Sequence, residues 1–193
     1  MGRRPEARER VLKAAREIVL DRGAGALTFD ELVQASGVTR GGITYHFATK
    51  QKLLQALIAH DLANWRQLEV DHRPDNEPDE LADLLAHIRA HTFPDTERRR
   101  FVTGMMGAAT HDPSVLEPAR EFEAERFADV QWDDAAISQQ LLRMAAIGMF
   151  WADFFECPSL PAEVKPKLTA MLETLAKEWT PQLAEGGKDD EKE

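Results

Sequence analysis

Hydrogen-bonding, aromatic and cationic side chains are concentrated in one short stretch of the sequence, residues 39–50. Arg40 carries a planar guanidinium, which can bind a guanine edge through two hydrogen bonds or hold a phosphate. Lys50 offers a point charge, which holds a phosphate but carries no base information. Side chains of these types, grouped this closely, indicate a surface that binds nucleic acid. The polar and aromatic residues between the two cations are Thr44, Tyr45 and His46.

Two short helices joined by a tight turn are predicted to position these side chains. Residues 28–31 form a capping-box sequence, in which the Thr28 hydroxyl and the Glu31 carboxylate can each accept a hydrogen bond from a free backbone N–H. Thr39 can cap the second helix, and Gly37 marks the turn. Two ordinary helices of a bundle would show the same spacing, so that alternative stays open. The predicted helix-turn-helix comprises Thr28–Ser36, Gly37-Val38 and Thr39–Phe47.

Charge is distributed unevenly along the chain. Residues 1–60 carry a net charge of +4 and residues 61–193 carry −14, although the whole chain has a net charge of −10. A basic head on an acidic body fits a small DNA-contacting module attached to a body that does not touch DNA. Chance clustering would give the same asymmetry, so the charge supports the helix-turn-helix prediction but does not establish it.

Helical periodicity dominates the rest of the chain, which predicts an all-α protein of about nine helices. The first helix is expected over Pro5–Asp21 and the fourth from about Thr49, with a loop at 72–78. Later helices are predicted at about 79–92, 97–110, 114–129, 134–156 and 161–180. The expected domains are a helix-turn-helix domain over 1–50, a larger helical domain over 51–183 and a disordered tail over 184–193.

Several other chemistries find no support in the sequence. No Ser/His/Asp, Cys/His or phosphate-loop pattern stands out, so we expect neither catalysis nor a cofactor. The lone Cys157 excludes an internal disulfide framework and multi-cysteine zinc sites. His87 and His91 lie one helical turn apart, but a hydrogen-bonded core is expected there rather than a metal site. Asp153 lies in an apolar helix and should pair with Arg143 or another cation.

The sequence also shows no apolar signal region near its N-terminus and no apolar run of 18 residues. We therefore expect a cytoplasmic protein with no membrane span.

The run from Leu27 to Leu54, LTFDELVQASGVTRGGITYHFATKQKLL, closely resembles the DNA-binding segment of the TetR family of repressors. The Gly-Val-Thr-Arg-Gly core, the His-Phe pair and the Lys before Leu-Leu are specific in combination. The recognisable part runs from about Arg8 to Leu57, under a third of the chain. Beyond it, the resemblance extends only to the number, length and order of the helices.

This resemblance implies a set of DNA contacts. Thr28 and Phe29 would lie beside phosphate, and Lys50 would meet phosphate at the start of the fourth helix. Many family members have tyrosine where this chain has Thr44. Asp30 stands where some relatives place a basic base-reading residue, and here it is expected to serve the helix N-terminus instead. The residues implied at the groove or its walls are Thr39, Arg40, Gly42, Thr44, Tyr45 and His46.

The resemblance also implies that the larger domain, residues 51–183, binds a small-molecule effector and forms a two-fold homodimer on a double-stranded DNA operator. The last two helices would supply the interface, whose expected residues are Val164, Leu168, Met171, Leu172 and Leu175. Met, aromatic and histidine side chains suit an adaptable pocket, although plain core packing would explain each of them equally well. The pocket candidates are Trp65, His91, Phe101, Met105, Phe122, Phe127, Phe150, Trp151 and Phe154.

Three functions are consistent with these patterns. The first is a repressor released from its operator by an apolar or amphipathic ligand. The second is a DNA-binding regulator of the same fold that has no small ligand. The third is a ligand carrier or enzyme whose DNA-binding domain is vestigial. Sequence-selective DNA binding separates the first two from the third, and a ligand that lowers DNA affinity separates the first from the second.

Overall fold

The computed structural model describes the backbone of residues 3–157 and 160–186 and the side chains of residues 6–157 and 160–180. Over these ranges the chain contains nine α-helices and no strand, which confirms the all-α prediction. Two short 3₁₀ turns, Ala24–Ala26 and Pro113–Leu116, connect some of them. The helices are α1 (Arg3–Arg22), α2 (Phe29–Ser36), α3 (Arg40–His46), α4 (Lys50–Asp71), α5 (Asp79–Thr92), α6 (Thr96–His111), α7 (Glu117–Phe127), α8 (Asp134–Phe154) and α9 (Val164–Gly186).

Helix boundaries differ from the predicted ones mainly in the second half of the chain. The 3₁₀ turn at Pro113–Leu116 replaces the first turn of the helix predicted over 114–129. Helix α9 continues to Gly186, three residues into the segment predicted as a tail. The remainder of that segment, residues 187–193, lies outside the described residues. No helix among the described residues is long and apolar enough to cross a membrane.

The chain divides into two compact units, which we call the head unit and the body unit. The head unit comprises residues 1–64 and 95–128, and the body unit comprises residues 65–94 and 129–193. The head unit therefore includes α6 and α7 in addition to α1–α3 and most of α4. The body unit contains α5, α8, α9 and the last turns of α4.

The core of the head unit is built from apolar faces of α1, α2, α3, α4 and α6. Val11, Leu27, Leu32, Ile43 and Leu53 are almost completely buried in it. Helix α6 lies so close to α1 at Gly104 that a Cβ atom there would collide with the backbone carbonyl oxygen of Val19. This packing holds the helices that carry the candidate DNA contacts as one body.

A half-buried carboxylate, Asp61 of α4, lies beside α1 and α6 in this unit. Its Oδ1 atom is 3.9 Å from Nη2 of Arg16, whose guanidinium also pairs with Glu97. Burial raises the pKa of Asp61 above its ordinary value of 3.8, and the guanidiniums of Arg98 and Arg16 offset this effect only in part. An ionised Asp61 is therefore less favourable in the folded than in the unfolded chain.

We expect Asp61→Asn to raise the melting temperature at pH 7. The folded pKa is raised, so the free-energy cost of ionised Asp61 develops as the pH rises through 3.8 and is complete above the folded pKa. The gain should therefore shrink as the pH is lowered toward 3.8. Thermal melts from pH 3.5 to 8 measure it, and Asp21→Asn, at an exposed site on α1, controls for the loss of one charge. A lower melting temperature for Asp61→Asn at pH 7 would contradict the expectation.

The body unit is held together by α5, α8 and α9. Leu84, Leu85 and Ile88 of α5 are fully buried, and Leu142 and Ala146 of α8 pack into the same cluster. At its edge Arg89 of α5 donates two hydrogen bonds to the Glu173 carboxylate of α9, at 2.9 and 3.0 Å. Asp153, which the sequence predicts to pair with a cation, forms an ion pair with Lys165.

The two histidines of α5 lie inside the body unit as hydrogen-bonded residues. Nδ1 of His87 is 2.9 Å from Oε1 of Glu69, and Nδ1 of His91 is 3.0 Å from the carbonyl oxygen of His87. The His91 ring also meets Trp65 edge to face, with ring centroids 4.3 Å apart. Over the described residues, no group of three or more His, Cys, Asp and Glu side chains is placed to hold a metal ion.

Candidate nucleic-acid interface

Helix α2 begins at a cap that forms only half of the predicted capping box. The Thr28 side-chain oxygen accepts from the backbone N–H of Glu31, at 3.2 Å. The Glu31 carboxylate accepts instead from Nη1 of Arg22, at 2.6 Å. A hydrogen bond between two charged groups is stronger than one from a neutral amide, which explains the choice. The hydrogen bond between Glu31 and Arg22 links the start of α2 to the end of α1.

The turn between α2 and α3 is fixed by backbone conformation and by side chains. Gly37 has a φ of 64°, in the left-handed region that favours glycine. The Ser36 hydroxyl donates to the carbonyl of Leu32 at 2.5 Å and accepts from the N–H of Val38 at 3.2 Å. Arg10 of α1 donates to the carbonyl of Ser36, at 2.5 Å. These bonds define the angle between the two helices.

Helix α3 presents a polar face that has little bulk near its start. The Thr39 hydroxyl caps the helix by accepting from the N–H of Gly42, at 3.2 Å. A Cβ at Gly41 would meet nothing within 4 Å, so the backbone there is open to a partner. The Thr44 hydroxyl donates to the Arg40 carbonyl, at 3.1 Å. Tyr45 is 68% exposed and meets His46 edge to face.

The two predicted cations have different surroundings. Nη1 of Arg40 donates to Oδ1 of Asp30 at 2.5 Å, and the guanidinium carbon lies 5.8 Å from the centroid of the Phe29 ring. Nζ of Lys50, at the first residue of α4, lies 3.3 Å from the carbonyl oxygen of Gly25. The pairing of Arg40 with Asp30 is a contact that the sequence did not reveal, because the two residues lie on different helices.

All nine residues predicted to contact DNA lie on the head unit, and none of them is buried. They fall at the start of α2, along the outer side of α3 and at the start of α4. The inward residues are the expected ones, since Ile43 and Phe47 are buried in the core. The structure thus provides a capped helix-turn-helix whose outer face carries hydrogen-bonding and cationic groups.

The nine predicted pocket residues are divided between the two units. Four of them belong to the head unit and five to the body unit. Phe101 and Met105 are buried in the head core, because α6 packs against α1. Phe150, Trp151 and Phe154 form an aromatic cluster on α8, with ring centroids 5.3 to 6.3 Å apart. The pocket therefore stays a prediction for these residues.

An open groove of about 590 Å³ lies within the body unit, between the end of α5 and the first half of α9. None of the residues that line it is among the predicted site residues. The nearest signal in the sequence was the pair Phe93-Pro94, in the gap between the helices predicted at about 79–92 and 97–110. The larger residues that line the groove are His72, Arg89, Phe93, Lys165, Pro166 and Glu173.

An exposed apolar stripe runs along α8, one of the two helices predicted to supply the dimer interface, although none of its residues is among the expected interface residues. Its residues recur at intervals of four and three, with Gly148 occupying one position of the series. This spacing is typical of a helix face that packs against another helix. The sequence contains this spacing. It does not stand out there, because α8 carries apolar residues on nearly every side. The exposed members are Ile137 (54%), Leu141 (58%), Met144 (60%), Trp151 (39%) and Phe155 (58%).

The residues predicted for the dimer interface on α9 have a mixed environment. Leu172 and Leu175 pack against the core of the body unit. Val164 and Leu168 are half-buried. Met171 is 60% exposed. Much of the α9 stripe therefore faces its own chain, and the exposed apolar surface lies mainly on α8.

Two protein-family models match the chain, one in its N-terminal part and one in its C-terminal part. Residues 11–57 match the model described as bacterial regulatory proteins of the tetR family. Residues 82–177 match the model described as the tetracyclin repressor-like C-terminal domain. The first match covers most of α1, all of α2 and α3 and the first two turns of α4, and the second covers most of α5–α9.

Individual proteins show the same likeness. The chain is 37% identical to the HTH-type transcriptional regulator SrpR of Pseudomonas putida over 70 residues, 36% of this chain and 32% of that protein. It is 38% identical to the HTH-type transcriptional repressor BepR of Brucella suis over 65 residues, 34% of this chain and 30% of that protein. The match thus spans about a third of these curated relatives.

One solved structure extends the likeness of fold over nearly the whole chain. The structure of the multidrug binding protein EbrR, complexed with imidazole, has a TM-score of 0.62 and 21% sequence identity. The superposition covers 89% of this chain and 93% of that one.

Proposed function

Because the chain belongs to the TetR family of bacterial regulatory proteins, we propose that it is a sequence-specific DNA-binding repressor, released from its operator by a small ligand. The single observation that carries this proposal is the capped α2–turn–α3 unit. Its buried side fixes the two helices, and eight of the nine residues expected to contact DNA, all but Lys50, lie on this unit with none of them buried. Residues 1–50 serve as the DNA-binding domain, and residues 51–183 serve ligand binding and dimerisation. The proposal assigns no catalytic role and places the protein in the cytoplasm.

DNA binding follows from the shape of α3 and its neighbours. A major groove admits one α-helix, which a preceding helix braces across the backbone. The open backbone at Gly41 allows α3 to approach the base edges closely. Thr28 and Lys50 stand at the starts of α2 and α4, the helices that precede and follow α3 in the chain, where they can meet phosphates. Arg40 is the residue whose side chain can bind a base.

Dimerisation explains the apolar stripe on α8. Five large apolar side chains exposed along one helix face are costly in water and are typical of an interface. A two-fold axis would bring the same stripe of a second copy against it. Two recognition helices related by that axis would each read one half-site.

Ligand release is supported by the groove of the body unit. Its volume of about 590 Å³ falls in the range of small-molecule sites, roughly 300–1,000 Å³. The exposed Phe93 ring and Pro166 offer apolar walls, and Lys165 offers a charge, a combination that suits an amphipathic ligand. The description of EbrR as a multidrug binding protein agrees with a ligand-binding body in this fold. A ligand acts by binding more tightly to the conformation that does not fit the operator.

Selection from a pool of randomised duplex DNA tests the proposal. The purified full chain should enrich a sequence with two inverted half-sites, because two protomers read the DNA through one two-fold axis. A thermal-shift screen of amphipathic compounds then identifies ligands, and a genuine effector should both stabilise the protein and release the enriched duplex. Recovery of no enriched sequence would contradict DNA recognition. An enriched duplex that no stabilising compound releases would favour a regulator without a small ligand.

A further inference from the structure

We propose that Asp30 is a positioning residue for DNA recognition: its carboxylate holds the Arg40 guanidinium in one orientation and so determines which base Arg40 can bind. The inference rests on the proposed DNA-binding function and assigns a part in specificity to an acidic side chain. By charge alone, a carboxylate on this face opposes DNA binding. Its position against Arg40 indicates why it is placed there.

The geometry of the contact comes from two helix starts that the Gly37 turn brings together. Asp30 lies in the first turn of α2, and Arg40 is the first residue of α3. Oδ1 of Asp30 accepts from Nη1 of Arg40 at 2.5 Å. The guanidinium carbon also lies 5.8 Å from the Phe29 ring centroid, within the range of a cation–π contact. The arginine head is therefore held by contacts to two residues of α2.

This ion pair contributes little to the stability of the fold. The Arg40 side chain is 63% exposed and that of Asp30 is 81% exposed, and exposed pairs of this kind are weak in water. Its main effect is on the orientation of a long side chain that would otherwise occupy many rotamers. Fixing that orientation before DNA arrives lowers the entropy lost on binding, which strengthens the contact with the matching base.

The pairing leaves Arg40 able to recognise a base. Asp30 accepts one hydrogen bond from Nη1, while Nε and Nη2 keep N–H groups that can donate in parallel. Parallel donation to O6 and N7 of guanine is the commonest specific arginine contact in the major groove. We therefore assign guanine as the base that the Asp30–Arg40 pair selects. On random DNA, where Arg40 finds only phosphate, the carboxylate repels the backbone and weakens binding.

The test compares base preference between the wild type, Asp30→Asn, Asp30→Glu and Glu31→Gln. The probe is the duplex that the wild type enriches from a randomised pool, with each G·C pair replaced in turn. Asp30→Asn should reduce the preference for guanine at one position of each half-site by about tenfold, a size typical of coupled neighbouring side chains. Binding to random duplex should rise severalfold. Asp30→Glu should restore part of the preference, because it keeps a carboxylate near Arg40.

Glu31→Gln is the matched control. It removes a carboxylate from the same turn of α2, but that carboxylate pairs with Arg22 rather than with Arg40. It should leave the guanine preference unchanged. In the Arg40→Ala background, Asp30→Asn should change operator and random DNA by the same factor. Melting temperatures within about 2 °C of wild type, a shift expected of changes under about 1 kcal/mol, would show that the fold is intact.

Three results would overturn the inference. The first is an Asp30→Asn variant with the guanine preference of the wild type. The second is the same loss of preference in Glu31→Gln, which would show that general charge is responsible. The third is a wild-type chain that enriches no sequence, which would overturn the proposed function together with this inference. The first two results leave the proposed function standing, so the two failures are distinguishable.

Discussion

Leu141→Glu combined with Met144→Glu is expected to convert the protein from a dimer to a monomer at micromolar concentration. Both side chains lie exposed on the α8 stripe, so the charges disturb a partner rather than the core of the same chain. Two apolar anchors at the centre of an interface are each worth about 2 kcal/mol or more, so dimer affinity should fall at least ~1,000-fold. Operator binding should fall with it, because a lone protomer reads one half-site.

Light scattering measures the first effect as a change from twice the chain mass to the chain mass of 21.7 kDa. Val70→Glu is the control, since Val70 is an equally exposed apolar residue of the body unit that lies on α4 rather than on α8. Val70→Glu should remain dimeric. A monomeric wild type, or a double variant that stays dimeric, would contradict the assignment of the stripe to the interface.

Glutamates placed on α9 would be a poorer test. Leu175 packs against the core of the body unit, so Leu175→Glu would bury a charge inside its own chain. Loss of the dimer would then be indistinguishable from loss of the fold. The exposed stripe on α8 avoids this ambiguity.

Arg40→Ala and Lys50→Ala are expected to weaken DNA binding in different ways. Arg40→Ala should cost ~1–3 kcal/mol on the selected duplex and much less on random duplex, because the lost contact is to a base. Lys50→Ala should weaken both by similar factors and reduce the salt slope by about one unit per protomer, through one fewer released counterion. The position of Lys50 at the start of α4 fits a phosphate contact.

Titrations of both variants against selected and scrambled duplexes, at several salt concentrations, measure these differences. Lys52→Ala is a matched control, because Lys52 is an exposed lysine in the same turn of α4 that is not among the expected contacts. If neither Arg40→Ala nor Lys50→Ala changed affinity, α3 would not be the recognition helix. If Arg40→Ala weakened selected and random duplexes equally, Arg40 would bind phosphate, and the role assigned to Asp30 would fall with it.

Several features of the head unit were determined by the sequence alone. Thr28 and Thr39 cap α2 and α3, as predicted, because a cap depends on a backbone N–H only three residues away. Gly37 forms the turn because few other residues adopt a positive φ without strain. Ile43 and Phe47 are buried, as their helical spacing predicts. Interactions within one or two helical turns were sufficient for each of these.

The partners of charged side chains were decided by the tertiary structure. Glu31 pairs with Arg22 and Arg40 pairs with Asp30, contacts that require two helices to meet at a particular angle. The capping-box prediction for Glu31 was wrong for this reason. The Arg22 guanidinium at the end of α1 lies 2.6 Å from the Glu31 carboxylate, and the sequence alone could not show that the two side chains meet. Charged groups compete for partners in three dimensions, and the stronger charge-assisted bond determines the outcome.

The tertiary structure also decided which apolar residues are core and which are exposed. Helices α8 and α9 are apolar on more than one side, so periodicity alone could not tell the face toward α5 from the face left open. Packing within the body unit buries Leu142, half-buries Leu175 and leaves Leu141 and Met144 exposed. Likewise, Phe101 is buried in the core of the head unit because α6 packs against α1. Apolar burial has no direction of its own, so only the arrangement of neighbouring helices selects the face that is covered.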